Sequence, residues 1–286
     1  SLAGQAISEL QSLPQLIGGI TPRCAEMSAR FWSTLANSVI RVRSPETAEL
    51  AKLANNSFRN VSFAFSNELS LLAEQYNLDV SEVIYAANNG YPRDPIPSAS
   101  PGVGGYCLPK DSMFLAGSFK QRGSESSLSA LACEVNRDAT RFPVRVFAQF
   151  CQRVNLPPPE TNVLVVGIAF KGEPETNDMR GSTGLEVAKL LSGQGARVFV
   201  WDAVVRNDQV TDPGLIFVAD HSEVSRNVHC IFVMNNHRRN SSIEPFLQSG
   251  DGLPRLLFDG WKMFDRQEIE SLAGVSYSAP GYLTPA

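Results

Sequence analysis

Pro101-Gly102-Val103-Gly104-Gly105-Tyr106-Cys107-Leu108-Pro109-Lys110-Asp111 is the stretch from which the rest of the chain is read. Three glycines within four positions let the backbone approach a ligand closely, because no side chain intervenes and positive φ is cheap. The thiol of Cys107 follows directly. A free cysteine is only slightly ionised at neutral pH, so a nucleophilic role needs nearby cations or hydrogen-bond donors, and Lys110 is a candidate. If a helical turn begins at Leu108, Cys107 and Asp111 stand four apart on one face, as a nucleophile and an acid-base partner would. The same residues admit a plainer reading, a glycine-rich loop followed by a buried structural cysteine, since free Cys is among the most buried residue types.

The chain has 286 residues, room for about two domains. Its net charge is −4 with acids and bases dispersed, so there is no basic stripe for nucleic acid, and a diphosphate ligand would need local positive charge. No apolar run reaches the length of a membrane span, and the first residues lack a charged-then-apolar signal pattern, so a soluble, cytoplasmic protein is expected. The five cysteines, Cys24, Cys107, Cys133, Cys151 and Cys230, are widely spaced and contain no CxxC pair. That argues against a disulfide framework and a zinc site, and no metal is expected.

Leu16 to Gly19 reads as a short buried strand, Thr21-Pro22 as a helix start, and Val39 to Val42 as a second strand. This β-α-β unit, residues 1–43, carries no glycine phosphate loop and reads as the tail of a larger sheet. Ser44-Pro45-Glu46 opens a helix expected to run to about Tyr76, roughly 45 Å long. Its apolar stripe, Leu50, Ala54, Phe58, Val61, Phe65, Leu69, Leu72 and Tyr76, has the spacing of a buried face, with Lys52, Asn56, Arg59, Asn67 and Glu74 mostly away from it. A solvated helix face is the plain reading of Lys52 and Asn56. Asp79 with Glu82 suggests a capping box for a second helix to about Asn88. Further helices are expected from about Asp111 to Gln121 and from Ser126 to Asn155, interrupted near Pro143. The proline-rich Asn155 to Glu160 reads as a domain boundary. Beyond it, apolar runs at Asn162–Val166, Arg197–Trp201, Leu215–Val218, Cys230–Met234 and Leu256–Phe258 alternate with helical or polar stretches, which predicts a mostly parallel sheet covered on both faces. Gly167 to Gly172 is not a P-loop, because Glu173 follows where Lys-Ser/Thr is required. His237, a lone imidazole after a strand, reads as a surface or capping residue.

Gly104-Gly105-Tyr106-Cys107-Leu108-Pro109-Lys110-Asp111 resembles the catalytic signature of the nucleotide-sugar 6-dehydrogenases, the family of the UDP-glucose, UDP-N-acetylmannosamine and GDP-mannose dehydrogenases. Glu49 to Asn56 and Phe65 to Leu69 are similar to its central-helix signature, Val135-Asn136-Arg137 to a helix completing the central domain, Gly167 to Lys171 to its Gly-x-Ala-Phe-Lys motif, and Asn177 to Ser182 to the motif downstream. Two departures stand out. The Lys171 to Arg180 interval is longer by two residues than the expected pattern, and Trp261-Lys262 stands where Arg-Asn is common. The resemblance, from Gly4 to the region of Trp261, implies an α/β protein: an all-helical central dimerisation domain with a long helix (44–155), then a Rossmann-like, parallel-sheet nucleotide-sugar-binding domain (160–286). It implies Cys107, Lys52, Asn56 and Asp111 as catalytic, Arg93, Ser100, Gly104 and Lys171 as substrate-binding, and Lys110 and Arg180 as cofactor-binding. The cofactor would be NAD, the substrate a nucleotide-diphosphate hexose oxidised at C6 to the uronic acid, and the assembly a homodimer. With no GxGxxG present, residues 1–43 resemble the segment that closes the family's NAD-binding domain, and the chain is read as a fragment lacking most of it and inactive alone. The alternative is a non-catalytic dimerisation and nucleotide-sugar-binding module. The spacing of Arg93 to Cys107 leans towards N-acetylated sugars and the Tyr-Cys-Leu-Pro-Lys-Asp ending towards UDP-glucose, which leaves the sugar open.

Overall fold

A computed structural model of the chain describes residues 6–76, 78–124, 127–247 and 253–283. Two residues named above, Gly4 and Ser126, lie outside them. Helix α1 (Ala6–Ser12) precedes strand β1 (Gln15–Gly18), helix α2 (Pro22–Trp32) and strand β2 (Val39–Val42). β1 and β2 pair in parallel, giving the expected β-α-β unit, with Pro22 in the first turn of α2 and the Thr21 hydroxyl accepting the N–H of Cys24. The burial expected of β1 is met at Ile17 alone, since Leu16 is exposed.

Helix α3 (Pro45–Gln75) is the long helix, capped by the Ser44 hydroxyl, which accepts the N–H of Thr47 at 3.3 Å. Its packing reverses the expected faces. The apolar stripe faces outward, with Phe58 69% exposed and Tyr76 equally so, while Asn56, Ser57, Asn60, Ser66, Asn67 and Ser70 are buried. The amides and two of the three serines win this position because each finds a partner there, which removes the cost of burying it; Ser57 Oγ has none among the described residues. Asn67 Nδ2 donates to Asn136 Oδ1 at 2.9 Å, Asn136 Nδ2 to Asn60 Oδ1 at 2.9 Å, and Ser66 Oγ to the Pro97 carbonyl at 2.7 Å. The solvated reading of Asn56 is therefore wrong, and that of Lys52 right, its side chain being 65% exposed.

Helices α4 (Val80–Asn88), α5 (Cys107–Gln121), α6 (Leu128–Ala139) and α7 (Arg141–Arg153) follow, with α5 and α6 packed against α3. α5 begins four residues earlier than expected, because Pro109 falls in its first turn, where no N–H acceptor is needed. The break expected at Pro143 lies at Thr140 for the same reason: Pro143 sits in the first turn of α7. α7 is packed on the sheet rather than on the helices, since Phe142, Val146, Phe147 and Phe150 share a core with the strands.

The sheet comprises β3 (Asn162–Val166), β4 (Arg197–Trp201), β5 (Leu215–Phe217), β6 (Cys230–Val233), β7 (Arg255–Asp259), β8 (Val275–Ala279) and β9 (Tyr282–Leu283), with α8 (Thr183–Gly193), α9 (Glu244–Leu247) and α10 (Arg266–Glu270) between them. Its order is β5-β4-β3-β6-β7-β8-β9, parallel except for the last pair, so the order reverses between β3 and β6. Alternate residues feed two cores: Val163 and Val165 face the one holding α7 and α8, Leu164 and Val166 the other. β8 and β9 were not foreseen, because serines alternate through Val275–Ala279 and leave no apolar run. After β3 the N–H groups of Ile168 and Ala169 donate to buried Asp202 at 2.8 and 2.9 Å, so these amides are unavailable to a phosphate. Asp79, the cap of α4, ties the helices to the sheet through Lys262 (3.2 Å) and Arg266 (3.4 Å). Among the described residues no helix is long and apolar enough to cross a membrane.

Burial pushes the pKa of His221, wedged between Trp201 and Phe246, below its usual value, and burial does the same to His229. Both folded values lie under the unfolded one of about 6.5, so as pH falls through about 6.5 towards them the unfolded chain binds more protons and stability declines. The depressed carboxylates, such as Asp79, act in a separate window, below about pH 4. The urea midpoint should therefore drop between about pH 8 and about pH 6, and drop less in the His221→Gln/His229→Gln variant; equal drops would refute this linkage.

Candidate active site

Cys107 is the first residue of α5 and Asp111 lies one turn on, so thiol and carboxylate share a face as the spacing predicts. Lys52 and Asn56 stand one turn apart on the neighbouring α3. Packing of the two helices brings their side chains to one carboxylate: Asn56 Nδ2 donates to Asp111 Oδ2 at 2.5 Å, Lys110 Nζ pairs with Oδ1 at 2.7 Å, and Lys52 Nζ lies 3.9 Å from Oδ2. The Asp111 side chain is only 5% exposed, and burial alone would raise its pKa. Hydrogen bonds from Lys110 and Asn56, with the charges of Lys110 and Lys52, outweigh burial and hold it below the usual carboxylate range. The same hydrogen bond raises the pKa of Lys110. Cys107 is exposed at the edge of this cluster.

Tyr106 gathers the two residues to which the resemblance gives the cofactor. Lys110 Nζ and the Arg180 guanidinium each lie 5.7 Å from the centre of its ring. Arg180 is oriented by Asp178, with Nε–Oδ1 at 3.0 Å and Nη2–Oδ2 at 2.7 Å. Beside them opens a cavity of about 430 Å³ lined by Tyr106, Lys110, Cys133, Arg137, Thr183 and Glu186.

The glycine turn does something other than expose backbone to a ligand. A Cβ on Gly104 would stand 3.0 Å from the Phe170 carbonyl oxygen, and Gly105, at φ +87°, packs its Cα on the Phe170 ring. Gly105 N–H donates to Gly181 O at 3.2 Å. These glycines let the turn lie against the single connection between β3 and α8 that carries both Lys171 and Arg180. Lys171 is half-buried, 5.5 Å from the centre of the Phe170 ring, and its Nζ is enclosed without a hydrogen-bond partner among the described residues; burial lowers its pKa. Ser100 is committed internally, its N–H donating to Asn67 Oδ1 at 2.9 Å and its hydroxyl to Gly102 O at 2.9 Å. Arg93 is exposed, 5.9 Å from the centre of the Tyr91 ring, and makes no contact with the cysteine cluster. Sequence reasoning passed over Tyr106 as a platform and Asn60, Asn67 and Asn136 as the seam beneath it. An aromatic beside the cysteine was visible, whereas these partners of the amides lie 33 or more residues away in sequence.

Residues 46–138 match the UDP-glucose/GDP-mannose dehydrogenase family, central domain, and residues 164–266 match that family's UDP binding domain. The chain is 30% identical over 229 residues to the UDP-N-acetyl-D-mannosamine dehydrogenase of Pyrococcus horikoshii, covering 78% of this chain and 53% of that protein. To the protein of the same name from Campylobacter jejuni it is 34% identical over 200 residues, 70% of this chain and 47% of that one. The solved structure of the UDP-D-ManNAc dehydrogenase from Pyrococcus horikoshii superposes with a TM-score of 0.82 at 25% identity, over 98% of this chain and 63% of that chain. The chain thus spans about half the length of the curated relatives it matches.

Cys24 and Cys107 are exposed, while Cys133, Cys151 and Cys230 are buried with pKa values raised by that burial. Iodoacetamide should therefore modify Cys24 and Cys107 well before the other three, and a rate at Cys107 above that at Cys24 would mark activation beyond exposure. Equal rates at Cys24 and Cys107 by mass spectrometry would remove the case for an activated thiol.

Proposed function

Because the chain belongs to the UDP-glucose/GDP-mannose dehydrogenase family, we propose that it carries the substrate-side chemistry of an NAD-dependent oxidation at C6 of a nucleotide-linked hexose, with Cys107 as nucleophile. The observation that supports this reading best is the convergence of Lys52, Asn56 and Lys110 on Asp111, one helical turn from an exposed thiol. The relatives' names favour a UDP-N-acetylhexosamine, UDP-N-acetyl-D-mannosamine foremost, as the substrate.

In this reading C6 passes from alcohol to aldehyde to acid. Lys52 and Asn56 stabilise negative charge developing on the C6 oxygen, the first with an ammonium and the second with an amide N–H. Cys107 Sγ then forms a bond to the aldehyde carbon, giving a thiohemiacetal. Loss of a second hydride from C6 gives a thioester, and attack by water breaks the C–S bond, releasing the carboxylate and returning the thiol. A carboxylate held below its usual pKa is a weak base, so Asp111 serves chiefly to fix Lys52, Asn56 and Lys110 in place. Two cations over Tyr106, whose ring lines a cavity of about 430 Å³ together with Lys110, suit the anionic part of a dinucleotide, so Lys110 and Arg180 would hold NAD, whose chemistry is to accept hydride. Lys171, whose ammonium has no hydrogen-bond partner among the described residues and only the more distant charge of Glu9, is the residue of the sheet part best suited to an anionic substrate.

We also assign the outward stripe of α3, with Leu50, Phe58, Phe65 and Leu72 exposed, to a homodimer contact, because a contiguous apolar ridge of this length is costly in water.

Calorimetric titration of this chain with UDP and UDP-N-acetyl-D-mannosamine should give heat of binding, reduced at least about tenfold in affinity by Lys171→Ala, the loss of a charge-assisted contact. No heat from either ligand would sink the nucleotide-sugar reading. In light scattering the chain should run as a dimer and Phe58→Glu/Phe65→Glu as a monomer; a wild-type monomer would remove the dimer assignment.

A further inference from the structure

Away from the cysteine site, two loops meet at the carboxyl ends of β3 and β6, the adjacent strands where the sheet's order reverses. Glu173 and Glu175 lie on the loop after β3, and His237 lies on the loop after β6. One carboxylate oxygen from each glutamate and a ring nitrogen of His237 all fall within 4.8 Å of one another. The imidazole is the floor of this cluster, His237 being 2% exposed, and the two exposed glutamates form its rim. His237 is thus a capping residue, as the sequence suggests, but not a surface one.

The cluster is held from behind. His237 Nδ1 accepts the N–H of Arg239 at 3.1 Å, which in the neutral ring leaves the proton on Nε2, directed at Glu175 Oε1 at 2.9 Å. Asn236 Oδ1 accepts the N–H groups of Gly172 and Glu173 at 2.9 and 3.1 Å, pinning one loop to the other. Gly172 is required there, since a Cβ would stand 1.9 Å from the backbone nitrogen of His237. Two carboxylates turned towards one imidazole, neither paired with a lysine or arginine among the described residues, form a donor set whose charge a dication would balance.

We propose that Glu173, Glu175 and His237 form a binding site for a first-row divalent cation, Zn²⁺ or Mn²⁺, with water completing the coordination shell. An imidazole nitrogen beside two carboxylate oxygens suits borderline Zn²⁺, and the harder Mn²⁺ takes the same set chiefly through its carboxylates, whereas Ca²⁺ and Mg²⁺ favour oxygen alone. Binding forms a metal–Nε2 bond, sends the Nε2 proton to solvent, and changes no oxidation state. The ion would clamp the β3 loop, which carries Lys171 two residues before Glu173, to the β6 loop. Cysteine spacing, which spoke against zinc, has no bearing on this set, and the expectation of no metal is revised here on the geometry.

The test is calorimetry of the chain, freed of metal with EDTA, titrated with MnCl₂, an ion for which thiols compete poorly, and then with ZnCl₂. One equivalent should bind, with the thermal midpoint rising in its presence. Glu173→Gln and Glu175→Gln, both at exposed positions, should fold with unchanged metal-free midpoints and each lose more than the ~10-fold in affinity that removal of an outer-shell partner costs. Absence of binding by either ion, or binding that survives in both variants, would overturn the proposal and leave a His237–Glu175 hydrogen bond as the whole content of the site.

Discussion

The buried amide seam along α3 is the interaction on which the remainder of the structure depends. Asn60, Asn67 and Asn136 bond one another across α3 and α6, and Asn67 reaches further to the N–H of Ser100. Buried amides must be partnered or each costs about 1–3 kcal/mol, so the seam fixes the rotation of α3 about its own axis more sharply than interchangeable apolar contacts would. That rotation sends Lys52 and Asn56 towards Asp111 and turns the apolar stripe outward. Through Ser100 it also anchors the chain entering the glycine turn, and hence the start of α5 at Cys107.

From there the site is an encounter between two differently built parts. The helical part supplies the thiol, the ammonium, the amide and the buried carboxylate; the sheet part supplies Lys171 and Arg180 from the one loop that follows β3. The glycines at 104, 105 and 181 let the backbones touch, and Tyr106, flanked by Lys110 and Arg180, lies at the junction. The ion cluster of Asp79 with Lys262 and Arg266 fastens the same two parts elsewhere, and Trp261 Nε1–H donates to the Met234 carbonyl at 2.9 Å, linking the loops after β7 and β6. Trp261-Lys262, a departure from the family pattern, therefore has a structural use in this chain.

Expectations drawn from the chain were most secure where local chemistry is decisive. The caps at Thr21, Ser44 and Asp79 hold as expected, because a hydroxyl or carboxylate next to free N–H groups needs no distant partner. The five strand runs from Asn162 to Phe258 are found within a residue or so, since strands buried on both faces are apolar throughout. They were weakest where a residue's role depends on what lies opposite. Leu50, Phe58 and Phe65 have core spacing yet face outward, and Asn56 looks solvated yet is buried, because periodicity shows that a helix has two faces without showing which one meets its neighbours.

The sequence by itself determined the kind of protein, a helical segment followed by a parallel sheet, and it singled out Cys107 together with Lys52, Asn56 and Asp111, because a motif of contiguous residues survives without knowledge of the fold. Only the tertiary structure decided which face of α3 is buried, that Lys110 and Arg180 share one aromatic ring, that Ser100 is bound internally, and that Glu173, Glu175 and His237 converge. Each of these rests on contacts between residues far apart along the chain, whose free energy exists only once the backbone has brought them within a few ångströms.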